Sequence, residues 1–577
     1  MMTRIGRQVS GLFSVLMLAV VLPAGAVERI CSVYVESPAA LQQQVQEASL
    51  VFESPELGMV PMMMTMMVPG GSQVKVSDPV SLHVFDIGGG KTAGVLELTP
   101  ATTAEMFLKS LTAASGKPLP PAVDGRYSFD NGVAQVRGTR LLLARTAAEL
   151  DACTGGAVPA LPPMPALPGV IRVSIAPSAV VPMLEAAKSQ VVAVMAAGGP
   201  DAAQAQVVME MMFGIYTRTL AQLNTVNIGI GVQPEALMMR SQLVPVSGST
   251  VAGILESMQP VDPAHIGFVE EGTLFSMASG QYSLPDQVKR QVVSLYVRMI
   301  EATPSFAGTD TDELAFALRE SFESLGASMA WSFAMTPEGK SFLMKGVMGI
   351  TPAVSYLEKM VALAGMPGMK ALMGQSGVGM STPEKRMYKE YPVYHWTMTF
   401  DEAAIRKQMG VSGTDDQAFA SVEKMMQLLG SGYDYAATPK GITFGLGSPA
   451  MVEQASDQLM VADTKAVEVE RIRALLLPAA APVVIGRFGL LDAVRTAMRL
   501  GADITAEPMP AAVATLPAGE GIVFADWLNG SEVNTALLVP AADIKALTAM
   551  GKAMQQAIAA EVDDDGMDDE EVLPEEK

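Results

Sequence analysis

The chain has 577 residues, with 60 Asp and Glu against 39 Lys and Arg, which gives a formal net charge of -21 at pH 7. This acidity disfavours binding to nucleic acid, because contacts with phosphate need a basic face. The length allows two or more domains. The three histidines, His83, His265 and His395, lie too far apart in the sequence to form a zinc motif.

Residues 1–26 are typical of a secretory signal peptide. Arg4 and Arg7 form a basic start, residues 12–22 an apolar core, and the small residues 24–26 a cleavage site. This pattern predicts a periplasmic or secreted protein. No later apolar run is long enough to cross a membrane, so we expect no transmembrane segment in the mature chain.

Cys31 and Cys153 are the two cysteines of the chain. In an oxidising compartment an even pair predicts one disulfide, which would join the start of the first folding unit to its end. Two separate buried thiols are the alternative.

The stretch GMVPMMMTMMVPGG (58–71) is the densest of the methionine runs. Thioether sulfur is a soft ligand for Cu(I), which makes this run a candidate copper site outside the cytoplasm. The candidate ligands are Met62, Met63, Met64, Met66 and Met67. Because 42 methionines are spread through the whole chain, a packed core or an adaptable apolar surface explains the same run.

The stretch DIGGGKTAG (86–94) ends like a nucleotide-binding loop, but its spacing is wrong for one. Such a loop needs glycine at the position of Phe85, and the residues after Lys91 alternate like a strand instead of a helix. We therefore interpret the glycines as the turn of a hairpin.

Four segments share the order strand, polar turn, strand, proline and helix. They begin at residues 81, 226, 328 and 521, and their second strands end at Pro100, Pro245, Pro352 and Pro540. Proline ends a strand ladder and suits the first turn of a helix. A different pattern, strand, glycine turn, strand and helix, is predicted for residues 125–150, 265–292 and 432–459.

These patterns predict an α+β fold, in which repeated antiparallel hairpin-plus-helix units form curved sheets flanked by helices, in two pseudo-repeat domains. Changes in composition mark the boundaries. We predict a signal peptide (1–26), a first unit (27–157), a Pro-rich linker (158–169), a second unit (170–302), a third unit (303–474), a fourth unit (475–560) and an acidic disordered tail (561–577).

The stretch KRMYKEYPVYHWTMTF (385–400) is the richest aromatic cluster. It is a candidate binding surface in an otherwise acidic protein, and a core strand with a basic edge is the alternative. The candidate binding residues are Tyr394, His395, Trp396, Lys385 and Arg386. A hydrolase that pairs Ser376 with His395 is a further possibility, although the segment around Ser376 lacks the glycines of a nucleophile elbow.

The openings YVESPAAL and VIRVSIAPSAVVPML, with the later GVAQVRGTRLLLARTAAEL, resemble large exported bacterial proteins built of domains of unknown function. The resemblance is one of layout, and it implies an envelope or extracellular setting with no catalytic residues to transfer. We expect a non-enzymatic binding or scaffold protein that contacts envelope or extracellular proteins or apolar ligands and uses no cofactor. An exported hydrolase-like enzyme with a site assembled from distant residues and a Met-rich copper-handling protein are the alternatives.

Overall fold

The computed structural model describes most of the chain as strands, helices and their connections. The described residues are 28–53, 58–59, 73–87, 91–113, 118–129, 132–154, 165–195, 200–301, 311–336, 339–367, 369–370, 377–408, 423–424, 426–428, 432–461, 467–475, 480–505 and 508–564. The predicted signal peptide, most of the Pro-rich linker, and all but the first residues of the acidic tail lie outside them.

Strands form where β-branched and aromatic residues alternate with small or polar ones, a pattern that suits a pleated surface. They are β1 (Glu28–Val35), β2 (Val80–Asp86), β3 (Thr92–Leu98), β4 (Arg126–Phe129), β5 (Gly132–Arg137), β6 (Arg140–Ala144), β7 (Ile171–Ile175), β8 (Leu223–Gln233), β9 (Ala236–Pro245), β10 (Phe275–Ser279), β11 (Met329–Met335), β12 (Phe342–Met348), β13 (Val378–Met380), β14 (Glu384–Tyr388), β15 (Tyr391–Phe400), β16 (Gly432–Thr438), β17 (Gly441–Leu446), β18 (Pro482–Phe488), β19 (Ile522–Asn529) and β20 (Glu532–Pro540).

Helices follow many of these strands, often directly after a proline or a polar N-cap. They are α1 (Pro38–Val51), α2 (Ala104–Ala113), α3 (Ala147–Thr154), α4 (Pro177–Met195), α5 (Pro200–Leu220), α6 (Thr250–Ser257), α7 (Pro263–Ile266), α8 (Asp286–Glu301), α9 (Thr311–Ser321), α10 (Ala353–Ala364), α11 (Glu402–Gln408), α12 (Pro449–Val461), α13 (Val467–Leu475), α14 (Leu490–Thr505), α15 (Ala511–Ala514) and α16 (Ala541–Asp564). None of the described helices is long and apolar enough to span a bilayer.

All strands of the described chain join one antiparallel sheet that does not close on itself. Its order is β4-β5-β6-β3-β2-β1-β7-β8-β9-β20-β19-β18-β10-β11-β12-β17-β16-β15, with β13 and β14 on the far side of β15. The predicted α+β class, with antiparallel hairpins and flanking helices, is confirmed.

The two halves of the sheet have corresponding strand orders. In chain order, β1, β2, β3, β5, β6, β7, β8 and β9 occupy the same relative places as β10, β11, β12, β16, β17, β18, β19 and β20. The last strand of each half forms the junction, where β9 pairs with β20 from Leu237 opposite Val539 to Leu243 opposite Val533. Descent of both halves from one duplicated unit stays a prediction, as do the unit boundaries.

The hairpin interpretation of residues 86–94 is consistent with the strands on either side. Asp86 of β2 lies opposite Thr92 of β3, and the amide of Ile87 donates to the carbonyl of Lys91 at 3.0 Å. Residues 88–90 themselves lie outside the described residues. Two antiparallel strands around the glycines exclude the strand–loop–helix arrangement of a nucleotide-binding loop.

The strand–turn–strand prediction for residues 265–292 was wrong. Residues 263–266 form the short helix α7, and β10 is the one strand in the stretch. Asp262 caps α7 by accepting the amide of Ala264 at 2.8 Å, and His265 is buried in the same helix. The local cap therefore outweighs the strand-like alternation that the sequence suggested.

Three arginines and one aspartate hold the loop 516–521 against the sheet. Arg487 of β18, which is 0% exposed, donates to the carbonyls of Thr273 (2.5 Å) and Gly519 (3.2 Å). Arg471 donates to the carbonyls of residues 520 and 521, and Arg495 donates to those of residues 516 and 517. From the start of α16, the Asp543 carboxylate accepts the amides of residues 520 and 521, both at 2.9 Å.

We expect Arg487→Met to lower the free energy of unfolding by about 3 kcal/mol, because the buried carbonyl of Thr273 and the half-buried carbonyl of Gly519 lose their charged donor. Arg145→Gln is the matched control. Its side chain is 70% exposed and pairs with Glu149 at 3.1 Å, so its loss should cost less than about 1 kcal/mol. Urea denaturation of both variants measures the difference, and equal losses would contradict the role given to Arg487.

Candidate binding face

One face of the sheet carries an uninterrupted row of apolar and aromatic positions in register. From β15 to β1 the row is Tyr394, Tyr435, Phe444, Gly346, Trp331, Met277, Gly486, Phe524, Leu537, Met239, Ile230, Ile171 and Val35. We call this side of the sheet the apolar face. A side chain on Gly346 would collide with the ring of Phe444, and one on Gly486 with the ring of Phe524, so both glycines leave room for aromatic rings.

Small residues line the other side of the sheet and are closed off by helices. Ala278, Ala330, Val523, Ala525 and Ala536 are each 0% exposed. They pack in one cluster with residues of α7, α12 and α13. This opposite face therefore forms the main core.

The central part of the apolar face is only half-buried. Met239, Leu537, Phe524, Met277 and Trp331 all keep partial contact with solvent. The ring of Phe275 bridges this region, with its centroid 5.0 Å from that of Trp331 and 6.4 Å from that of Phe524. Aromatic and aliphatic groups thus form a continuous, partly accessible surface.

Helices cover the apolar face toward its two outer ends. In the second half, Leu357 of α10 packs with Tyr394, Trp396 and Ile442. In the first half, α2 packs on β3, β5 and β6, and α4 packs against Ile30 and Val84. The partly accessible strip therefore lies between them, around the junction of β9 with β20.

Asp526 occupies a position on this strip. Within β8, β9, β10, β18, β19 and β20, it is the one charged residue on the apolar face. Thr535 lies directly opposite it on β20, and Ser241 lies opposite Thr535 on β9. Burial raises the pKa of the Asp526 carboxyl, and a hydrogen bond from Thr535 partly offsets that rise.

Asp526 is not among the binding residues predicted from the sequence. The signal was an acid at position 526 in a strand, flanked by apolar residues from Phe524 to Trp527. Read without the sheet order, this acid could equally lie on a solvated edge. In the structure Asp526 lies inside the sheet, because its strand β19 pairs with β18 on one side and with β20 on the other.

The predicted cluster at residues 385–400 is divided between the two faces of the sheet. Tyr394 and Trp396 lie on the apolar face and are buried, and the Lys385 amine sits 5.2 Å from the Tyr394 ring centroid. His395 and Arg386 point to the opposite face, where strand alternation must send them. Tyr394 and Trp396 are therefore core residues, Lys385 is exposed, Arg386 and His395 are half-buried, and a binding role for the cluster stays a prediction.

His395 and Asp434 form an acid–imidazole pair near the sheet edge. The Nδ1 of His395 lies 3.3 Å from Oδ1 of the buried Asp434, and the imidazole is 31% exposed. Arg386 pairs with Glu453 at 2.7 Å beside them. Ser376, the nucleophile of the hydrolase hypothesis, lies outside the described residues.

His83 belongs to a buried series of hydroxyl, imidazole and carboxylate groups. Its Nδ1 is 2.7 Å from Oγ of Ser32, and its Nε2 is 2.9 Å from Oγ of Ser81 and 3.7 Å from Oε2 of Glu97. These groups have the chemistry of a nucleophile and its base. Both Ser32 and His83 are 0% exposed, so a substrate cannot reach them, and the series acts as a satisfied core network.

A polar cleft of about 620 Å³ lies at the ends of β10, β11 and β12. Tyr282, Ser324, Tyr356 and Lys289 line part of it, and the Ser324 and Tyr356 hydroxyls are 2.7 Å apart. Neither His83 nor His395 borders the cleft. The cleft is therefore not built around either histidine, although the carboxylate of Glu323 lines it.

The predicted disulfide is not formed in the structure. Cys31 lies on β1 and is half-buried, and Cys153 lies on α3 and is buried, with both thiols free. Cys153 packs with Phe85 and Val95 on the opposite face of the sheet. The alternative of two separate thiols fits this geometry.

The proposed copper ligands lie outside the described residues. Met62, Met63, Met64, Met66 and Met67 all fall there, and Met59 is the one methionine of the run that the structure describes, with its side chain 54% exposed. The copper hypothesis therefore stays a prediction.

The chain matches no protein-family model, no curated protein and no solved structure.

We expect Asp526→Asn to raise stability at neutral pH. The raised pKa means that the folded state favours the neutral carboxyl, so the charged form costs stability above that pKa and costs none below the ordinary carboxyl value of 3.8. Asn keeps the shape without the charge. Its gain should be full at pH 7, start to fall as the pH drops below the raised pKa, and be gone below 3.8.

Urea denaturation at several pH values checks this prediction. Glu256→Gln, at an exposed site of α6, is the control and should show no such pH-dependent gain. A stability difference between Asp526→Asn and the unmodified protein that stays constant with pH would contradict the burial argument.

We expect both thiols of the native protein to react slowly with iodoacetamide at pH 8. Burial raises the pKa of Cys153 to about 12 and also raises that of Cys31, so little of either thiol is the reactive thiolate. Unfolding in guanidinium should release both. Mass spectrometry counts the alkylated cysteines, and an unfolded, unreduced protein that takes up no label would show that a disulfide exists after all.

Proposed function

We propose that this is an exported, non-enzymatic binding protein that takes an apolar ligand on the apolar face of its sheet. The observation that carries the proposal is the half-buried strip around Met239, Phe524 and Leu537. Contiguous apolar patches on a soluble protein are commonly interaction sites. Export rests on the signal-peptide pattern of residues 1–26.

The strip is wide enough for a small apolar molecule or for one extended apolar chain of a ligand. The six strands β8, β9, β20, β19, β18 and β10 are neighbours in the sheet. At about 4.8 Å between strands, they span roughly 25 Å. Each Å² of apolar area that a ligand covers contributes about 25 cal/mol, so a ligand of modest size gains useful affinity.

If the protein were instead a scaffold that contacts other envelope proteins, such a partner would use the same surface. We favour a small ligand because the strip is bounded by α10 at one end and by α2 and α4 at the other, as a recess would be. Large flat interfaces between proteins usually place a polar rim around an apolar centre.

We expect the double change Met239→Gln and Leu537→Gln to weaken binding of Nile red, a neutral apolar dye, by at least about tenfold. Both side chains face the strip and pair directly across the junction, so the change makes its centre polar. Dye fluorescence measures binding, and energy transfer from Trp331, which lies on the same face, checks where the dye sits.

Val461→Gln is the matched control, since Val461 is 75% exposed at the end of α12, away from this face. It should leave dye binding unchanged. Equal loss in both variants, or no loss in the double variant with its fold intact by circular dichroism, would overturn the proposal.

A further inference from the structure

Asp526 forms a polar island with two hydroxyl side chains in the middle of the apolar face. Residues directly opposite on neighbouring strands have Cβ atoms about 5 Å apart. Asp526, Thr535 and Ser241 are successive opposite residues on β19, β20 and β9, so a carboxylate and two hydroxyls stand side by side.

Apolar residues surround this island along the strands and across them. Phe524 and Leu528 lie two residues to either side of Asp526 on the same face, as strand alternation requires. Leu537 and Val533 flank Thr535 in the same way, and Met239 flanks Ser241. A group bound to the island would therefore have apolar surface on several sides.

The charge of Asp526 has no counter-ion in the described chain. Among the residues that the structure describes, no Lys, Arg or His forms an ion pair with it. A charge placed among apolar groups without a partner costs stability. Unfavourable buried charges of this kind are concentrated at sites that bind a ligand or carry out a reaction.

We propose that the apolar face binds an amphiphile with a cationic amine head, whose ammonium pairs with Asp526 while its apolar chain lies along the strip. This inference rests on the proposed function and names the class of its ligand. An ammonium has three N–H donors, so it can bind the Asp526 carboxylate and the neighbouring Thr535 hydroxyl together.

Charge complementarity favours an amine over an alcohol or a carboxylate. The carboxylate attracts a cation strongly where apolar neighbours exclude water, and it repels an anion. The formal net charge of -21 also raises the local concentration of cations near the whole surface. Because that wider field is not specific to one residue, the test must separate it from the contact with Asp526.

The test compares dodecylamine with dodecanol, below the concentrations at which either aggregates, on the full-length mature protein. Isothermal titration calorimetry measures affinity. We expect the amine to bind at least about tenfold tighter than the alcohol. In Asp526→Asn this preference should vanish, because the ammonium loses its charged partner.

Asp151→Asn is the control for the general field, since its side chain is 53% exposed and lies on α3. It should keep the full preference for the amine. A preference that survives in Asp526→Asn, or equal affinity of the two ligands in the unmodified protein, would overturn the inference while leaving the proposed function intact. Failure of both ligands to bind would overturn the two together.

Discussion

The pairing of β9 with β20 is the constraint on which the rest of the structure depends. Each half could build its own sheet, because the strand order within each is complete up to this edge. Only the junction, from Leu237 opposite Val539 to Leu243 opposite Val533, turns two sheets into one. The register of this pairing keeps each face of the first half continuous with the same face of the second. A register shift of one residue would place the apolar face of one half beside the opposite face of the other.

The difference between the two faces follows from side-chain size. Ala278, Ala330 and Ala536 let helices approach the opposite face closely, which closes it against water. The apolar face carries larger groups, such as Phe524 and Trp331, and helices of the described chain pack on it near its two outer ends. The opposite face therefore supplies most of the buried core, and the apolar face keeps partly exposed apolar side chains.

Local patterns predicted the hairpins but could not predict the sheet. Turn residues and the prolines at 100, 245, 352 and 540 mark each strand–turn–strand unit within a short window. The order of the hairpins depends on which edges meet after long separations, and composition holds no signal for that. The candidate site could not be predicted for the same reason. Tyr394 and His395 are adjacent in sequence but lie on opposite faces of the sheet. The position of Asp526 beside two hydroxyl residues depends on the pairing of β19 with β20 and of β20 with β9.

The corresponding hairpins also make the two sides of the junction unequal. The turn after Gln233 corresponds to the turn after Asn529, because both turns have two residues. Gln233 pairs with Ala236 in the first half, and Asn529 pairs with Glu532 in the second. Ile230 lies three residues before Gln233, and Asp526 lies three residues before Asn529, so the two residues occupy corresponding positions in the two halves. A molecule lying across this near-symmetric boundary would therefore meet a carboxyl on one side and a hydrocarbon on the other, and it could dock in only one direction.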